Sequence, residues 1–246
     1  MLILLPPSET KRDGPAGGAR LDLAALSFPA LTRERRTALA ALRLLSRNRA
    51  NAAAGLRIGP SLAFEIERNR AVTCAPTMPA MDCYTGVLYD GLDAATLSDS
   101  ARLFVTEQVA IGSALFGLVG AGDAIPAYRL SHDSRLPGVG LRKLWRDATT
   151  AVIREHPGLI LDLRSEAYVA LGPAPTGRSF YLRVVADGPD GTRALNHFNK
   201  KGKGQLVRAL AQFGERHESV DSLLEWAAQR GIRLSHHTAG ELNLVV

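Results

Sequence analysis

Apolar positions follow two rhythms along the chain, one of continuous short runs and one of helical spacing. Residues 1–5 are uninterruptedly apolar and are stopped by Pro6 and Pro7. This predicts a buried strand that leaves its sheet into a loop over 6–18, carrying Ser8, Glu9, Thr10 and Lys11 at a strand end, where function often sits. From Thr32, a candidate N-cap, Leu39, Leu42 and Leu45 recur at helical spacing with Arg33, Arg35, Arg36, Arg43 and Arg47 between them. The pattern predicts an amphipathic surface helix. Further helices are predicted over 61–68, over 81–92 and from near Ser98.

Residues 108–119 are rich in Val, Ile, Leu and Phe and punctuated by Gly112 and Gly117, which predicts a buried strand. Another strand is predicted over 128–132, and a helix over 141–154 with Leu144, Trp145, Ala148 and Val152 inward. Residues 158–163 read as a further buried strand. Alternation over 180–185, the turn Gly188-Pro189-Asp190-Gly191 and residues 193–198 read as a hairpin. A basic helix is predicted over 202–213, and a last one capped by Ser219 and closed by Gly231. Short strands over 232–235 and 242–246 finish the chain. Elements alternate irregularly rather than as strict β-α-β, so the expected fold is α+β, a compact single domain over 1–246 with a mixed sheet and surrounding helices.

Composition adds a location and a partner class. The 246 residues are 46% hydrophobic and 22% charged, enough for a core without disulfides or metals. The first apolar run is too short for the roughly 7–15 residues of a signal segment, and no run approaches the ~20 that cross a bilayer. A cytoplasmic protein without membrane contact is expected. Cys74 and Cys83 match neither a disulfide framework nor a Cys-x-x-Cys element, and nothing marks them as low-pKa sensors. Net charge is +6. Residues 129–154 hold six cations against Asp133 and Asp147, and residues 196–208 hold four with no acid. These two concentrations point to a polyanion partner or to two solvated basic faces.

Several segments, in order, are shared with a known family: Met1-Leu2-Ile3-Leu4-Leu5-Pro6-Pro7-Ser8-Glu9-Thr10-Lys11, Tyr84-Thr85-Gly86-Val87-Leu88-Tyr89, Gly112-Ser113-Ala114-Leu115-Phe116-Gly117, Pro126-Ala127-Tyr128-Arg129-Leu130, Leu161-Asp162-Leu163 with Tyr168, and Asn199-Lys200-Lys201-Gly202-Lys203-Gly204. Through them the chain resembles the YaaA family, whose members are linked to hydrogen-peroxide resistance. The resemblance implies a compact fold with a positively charged cleft, DNA binding through a helix-hairpin-helix-like element, and a role in limiting damage from unincorporated iron. The opening, with Pro6-Pro7-Ser8-Glu9 before Lys11, differs from the Ser-Pro-x-Lys form of other members.

Leu136-Pro137-Gly138-Val139-Gly140 looks like the hairpin of such a module, its glycines freeing backbone N–H groups for a phosphate, or else a plain Pro-Gly turn. Arg142 and Lys143 follow it. Lys200, Lys201 and Lys203 with two glycines are expected at a helix start, as an anion site or a solvated turn. With Arg129 and Arg135 these residues make the expected nucleic-acid contacts, mainly to phosphates and with little sequence specificity. The alternative is an enzyme acting on a nucleotide, nucleobase or nucleic-acid lesion, even within a specialised biosynthetic pathway, with Lys11, Tyr84 and Lys200 as catalytic residues around a nucleotide-like small molecule. His132, His156, His197, His217, His236 and His237 are dispersed, and no nucleotide-cofactor loop is present, so neither metal nor cofactor is expected. A monomer is the expected state.

Overall fold

The computed structural model describes residues 1–186, 193–194 and 196–246, with backbone alone at 193–194 and 196–198. Its main sheet is built on β1 (Leu2–Leu5), every residue of which is buried. A strand flanked on both sides and covered on both faces has no polar positions to alternate with, hence the unbroken apolar run. β1 pairs in parallel with β3 (Val109–Ser113) and with β6 (Ile160–Asp162). β6 continues in parallel to β7 (Ser179–Ala186), and β7 to β10 (Glu241–Val245). Antiparallel strands close the sheet: β4 (Gly117–Gly120) on β3, β8 (Arg193–Ala194) on β7, and β9 (Leu234–His236) on β10. A separate pair joins β2 (Thr77–Pro79) to β5 (Ala124–Pro126). The fold is therefore α+β around a mixed sheet, as expected, with five central strands parallel. Numbered among themselves, those five stand in the order 2-1-3-4-5, so the chain reverses direction across the sheet between β1 and β6. In open sheets of this order, ligands bind outside the carboxyl ends of the strands at that switch point.

Ten α-helices flank the strands among the described residues: α1 (Thr32–Ser46), α2 (Arg49–Leu56), α3 (Phe64–Ala71), α4 (Ala80–Cys83), α5 (Val87–Leu92), α6 (Asp99–Gln108), α7 (Leu141–Glu155), α8 (Glu166–Val169), α9 (Asn196–Phe213) and α10 (Val220–Gln229). Ser98 and Ser219 cap α6 and α10 by accepting from the amides of Ala101 and Ser222. None of the described helices is long and apolar enough to cross a membrane.

The structure corrects several expectations. The strand expected over 108–119 is the β3–β4 hairpin, because the Ser113 hydroxyl accepts from the amides of Leu115 and Phe116 and turns the chain there. Arg35, expected on the surface of α1, is fully buried. Its guanidinium donates to the carbonyls of Ser27, Phe116 and Leu118, so it satisfies backbone groups beside edge strand β4. The helix expected over 81–92 breaks between α4 and α5 at Tyr84, which bridges to Lys11. No strand forms over 128–132, since the Asn69 amide takes both backbone groups of Arg129, each at 2.8 Å. The hairpin turn at 188–191 lies outside the described residues.

The basic helix begins at Asn196 rather than near residue 202, so Gly202 and Gly204 lie inside α9 and not at its start. A glycine inside a helix costs about 1 kcal/mol relative to alanine. Close approach explains its presence, because a Cβ on Gly204 would sit 2.0 Å from the Leu88 carbonyl oxygen of α5.

Candidate functional site

A cleft of about 760 Å³ opens at the switch point. Its wall starts where β1 ends, with Pro6, Pro7, Ser8 and Glu9, and continues through Leu163, Ser165 and Glu166 after β6, Tyr181 and Arg183 on β7, and Asn199, Lys200 and Lys203 on α9. Positions 199, 200 and 203 share one helical face, which is why α9 delivers three polar side chains to one place. The volume falls in the range of small-ligand sites.

Beneath the loop lies a buried polar layer. Lys11 is 7% exposed, and its ammonium donates to the carbonyls of Ser8 (2.9 Å) and Glu9 (3.3 Å) while standing 4.2 Å from the ring centre of Tyr128. Burial pulls its pKa down to about 8. The hydroxyls of Tyr84 and Tyr128 share a hydrogen bond of 2.8 Å, and Tyr128 reaches Ser113 at 2.7 Å. Desolvation, then neighbouring Tyr128, pushes the Tyr84 phenol far above its ordinary value, so it stays a neutral hydrogen-bonding group. Lys11 and Tyr84 thus meet, as their pairing in one candidate pocket expected, but they brace the loop from below and do not line the cleft. Arg129 belongs to the same bracing and holds Glu9 at 2.6 Å.

Next in sequence to Leu163 and Ser165 of the cleft wall, Asp162 and Arg164 form a buried two-point ion pair at 2.9 and 2.6 Å, and Asp162 also accepts from the Arg164 amide. Arg183 is clamped by Glu241 at 2.8 and 2.9 Å. Lys200 is exposed at the mouth, whereas Lys203 is 5% exposed. Among the described residues the Lys203 ammonium has no hydrogen-bond acceptor and no carboxylate at ion-pair distance; its near neighbour is the Tyr181 ring at 5.4 Å. The buried Oδ1 of Asn199 likewise lacks a donor. The cleft is not uniformly basic, because Glu9 and Glu166 stand with Lys200, Lys203 and Arg183.

The other expected contact residues lie elsewhere. Gly138 turns the 136–139 hairpin with a φ of 67°, and Gly140 is the N-cap of α7. Arg142 and Lys143 are exposed in the first turn of α7, and Arg135 is exposed beside a shallow groove along α2. What precedes this hairpin is β5 and irregular chain, so no first helix adjoins it to make a helix-hairpin-helix pair. Lys201 is exposed on α9 and outside the cleft lining. Among the described residues no group of three His, Cys, Asp or Glu side chains could hold a metal ion. Cys74 is exposed and Cys83 is buried, with burial pushing the Cys83 thiol up to about 12.

The family model for the peroxide stress protein YaaA matches residues 1–235. The chain belongs to this family. It is 41% identical over 238 residues to a UPF0246 protein of Corynebacterium glutamicum, covering 94% of each chain. It is 46% identical over 217 residues to one from Corynebacterium efficiens, covering 86% of this chain and 85% of the other, and 38% identical over 233 residues to one from Streptomyces coelicolor, covering 92% and 88%. The YaaA match spans β1, the bracing layer and the whole cleft wall.

Sequence inspection missed Glu166, Tyr181 and Arg183 as lining groups. Their only local signal is charge and phenol placed at the ends of otherwise apolar runs. Lys203 carries a pH signature of its own. Burial lowers its pKa from 10.5 to about 8. Below pH ~8 both folded and unfolded chains hold the proton, and the fold bears the cost of the desolvated ammonium. Between ~8 and 10.5 the unfolded chain binds more protons, so stability rises with pH. Lys11 acts in the same direction. Lys203→Met is expected to stabilise the protein at pH 7 by up to about 3 kcal/mol and to flatten part of that rise. Urea unfolding at pH 7, 9 and 10.5 measures both, and a destabilised variant at pH 7 would contradict the reading.

Proposed function

We propose that this YaaA-family protein binds one nucleotide unit in the cleft at the ends of β1 and β6, presented free or by a nucleic acid. The observation that carries the reading is the buried Asn199 Oδ1, which lacks a donor, beside the buried Lys203, whose ammonium has no acceptor or ion-pair carboxylate among the described residues, in a cavity of nucleotide size. Buried polar groups without partners are costly and are retained where a ligand completes them. Lys200, exposed at the mouth, suits a phosphate. The rings of Tyr168 and Tyr181 suit the apolar faces of sugar and base.

A second contact, with the DNA backbone, is favoured by α7. Arg142, Lys143 and Arg146 have no acidic partner among the described residues, and the first turn of α7 holds no acid. Cations at a helix N-terminus oppose its dipole, so a polyanion there relieves repulsion. Such contacts are largely independent of sequence.

Calorimetric titration with deoxynucleoside monophosphates tests the cleft, and fluorescence anisotropy with duplex, single-stranded and bubble DNA at several salt concentrations tests the surface. Lys200→Ala is expected to weaken mononucleotide binding by roughly tenfold, the worth of one charged hydrogen bond. The Arg142→Ala, Lys143→Ala double variant is expected to leave that binding unchanged and to lower the DNA log-log salt slope by about two. No mononucleotide binding at all would overturn the cleft reading, and an unchanged slope would overturn the surface one.

A further inference from the structure

Of the thirty cationic side chains in the sequence, twenty-five are arginines and five are lysines. An arginine remains charged at any pH a folded protein meets, whereas a lysine can release its proton and become a nucleophile. Lys143, Lys200 and Lys201 are exposed, and buried Lys11 is occupied by two carbonyl acceptors. Lys203 alone among the described lysines is buried, on a cavity wall and without a hydrogen-bond acceptor or ion-pair carboxylate among the described residues. Asn199 lies one turn earlier on the same face with an unused acceptor, and the Glu166 carboxylate lines the same cleft.

We propose that Lys203 is a nucleophile that condenses with a phosphorylated sugar in its open-chain aldehyde form, the fragment a nucleotide leaves when its base is lost. The proposal rests on the nucleotide reading of the cleft. The neutral amine forms the C–N bond as the carbonyl π pair moves to oxygen, which takes up a proton while nitrogen loses one, with Glu166 or water as the carrier. The carbinolamine oxygen then takes a second proton, from Glu166 or water, and leaves as water while the nitrogen lone pair forms the C=N bond of a protonated imine. Nothing is oxidised or reduced, and no co-reactant is required. Burial supports the chemistry by holding the amine near a pKa of about 8, which leaves on the order of a hundredfold more free amine at pH 7.5 than an exposed lysine has.

The test incubates the full chain with ribose 5-phosphate and cyanoborohydride at pH 7.5 and locates the reduced adduct by peptide mass mapping. Lys203 is expected to be labelled at least roughly tenfold more than each of the other four lysines. Lys203→Arg, with its fold verified by melting, is expected to lose that adduct. Equal labelling of the exposed lysines, or an adduct pattern unchanged in Lys203→Arg, overturns the proposal. Equal labelling by unphosphorylated ribose overturns the assigned substrate class. Absence of an adduct while deoxynucleoside monophosphates still bind overturns the nucleophile and leaves the nucleotide reading standing; absence of both removes both.

Discussion

Asp162→Ala is expected to destabilise the protein by about 3–5 kcal/mol, because it strands a buried guanidinium. Arg164 is 1% exposed and Asp162 is 3% exposed, and the carboxylate is held by the Arg164 side chain at two points and by its amide. The loss is mostly the penalty of an uncompensated charge rather than the net worth of the pair. A double variant, Asp162→Ala with Arg164→Met, is therefore expected to recover much of the stability that the single one loses. Urea unfolding of both variants measures this. A single variant losing under about 1 kcal/mol would mean that water or another group reaches Arg164. The cleft follows the same pair, since Leu163, Ser165 and Glu166 of its wall flank Arg164 in sequence. Asp162→Ala should accordingly weaken mononucleotide binding even at temperatures where it is fully folded.

Gly204→Ala is expected to destabilise by about 3 kcal/mol, at the upper end of overpacking, despite the better helix propensity of alanine. Its Cβ would stand 2.0 Å from the Leu88 carbonyl oxygen and 2.8 Å from the Leu92 amide nitrogen, both backbone atoms that cannot swing aside. Gly91 on α5 meets the Lys201 carbonyl in the reciprocal way, at 2.7 Å from its own would-be Cβ. The two helices therefore approach on glycine from both sides, and separating them would carry Asn199 and Lys203 away from the strand ends. Gly59→Ala is the control, since nothing lies within 4 Å of its would-be Cβ and its φ of −78° suits any residue. That variant should be neutral or slightly stabilising. Thermal melting separates the two, and equal melting temperatures would show that α5 and α9 slide apart at little cost.

These cases show why the candidate site was only partly legible. Lys200 and Lys203, which line the cleft, are legible as a cation cluster because clustered cations are a local feature. The helix that presents them starts six residues before the expected position, which places Gly202 and Gly204 inside it rather than at its start. The role of Gly204 depends on the Leu88 carbonyl, more than a hundred positions away in sequence and invisible to any local window. Lys11 and Tyr84 meet beneath the loop rather than in the cleft, and it is the Ser8 and Glu9 carbonyls, not burial, that distinguish the bracing Lys11 amine from that of Lys203. Arg129, expected at a phosphate, has its backbone held by Asn69 and its side chain by Glu9, two partners that no local pattern announces.

What the sequence by itself determined was whatever short-range physics controls. The apolar run of β1, the 3.6-residue periodicity of α1 and α7, the serine caps of α6 and α10 and the family segments could all be read in place. Tertiary structure alone decided which charges are desolvated. Arg35 and Lys203 lie in helices whose local patterns mark neither as buried, but one meets carbonyls at an edge strand and the other, beside the Tyr181 ring, meets no acceptor or carboxylate among the described residues. Desolvation depends on atoms brought together from distant parts of the chain, and it is desolvation that turns a common lysine into a candidate site.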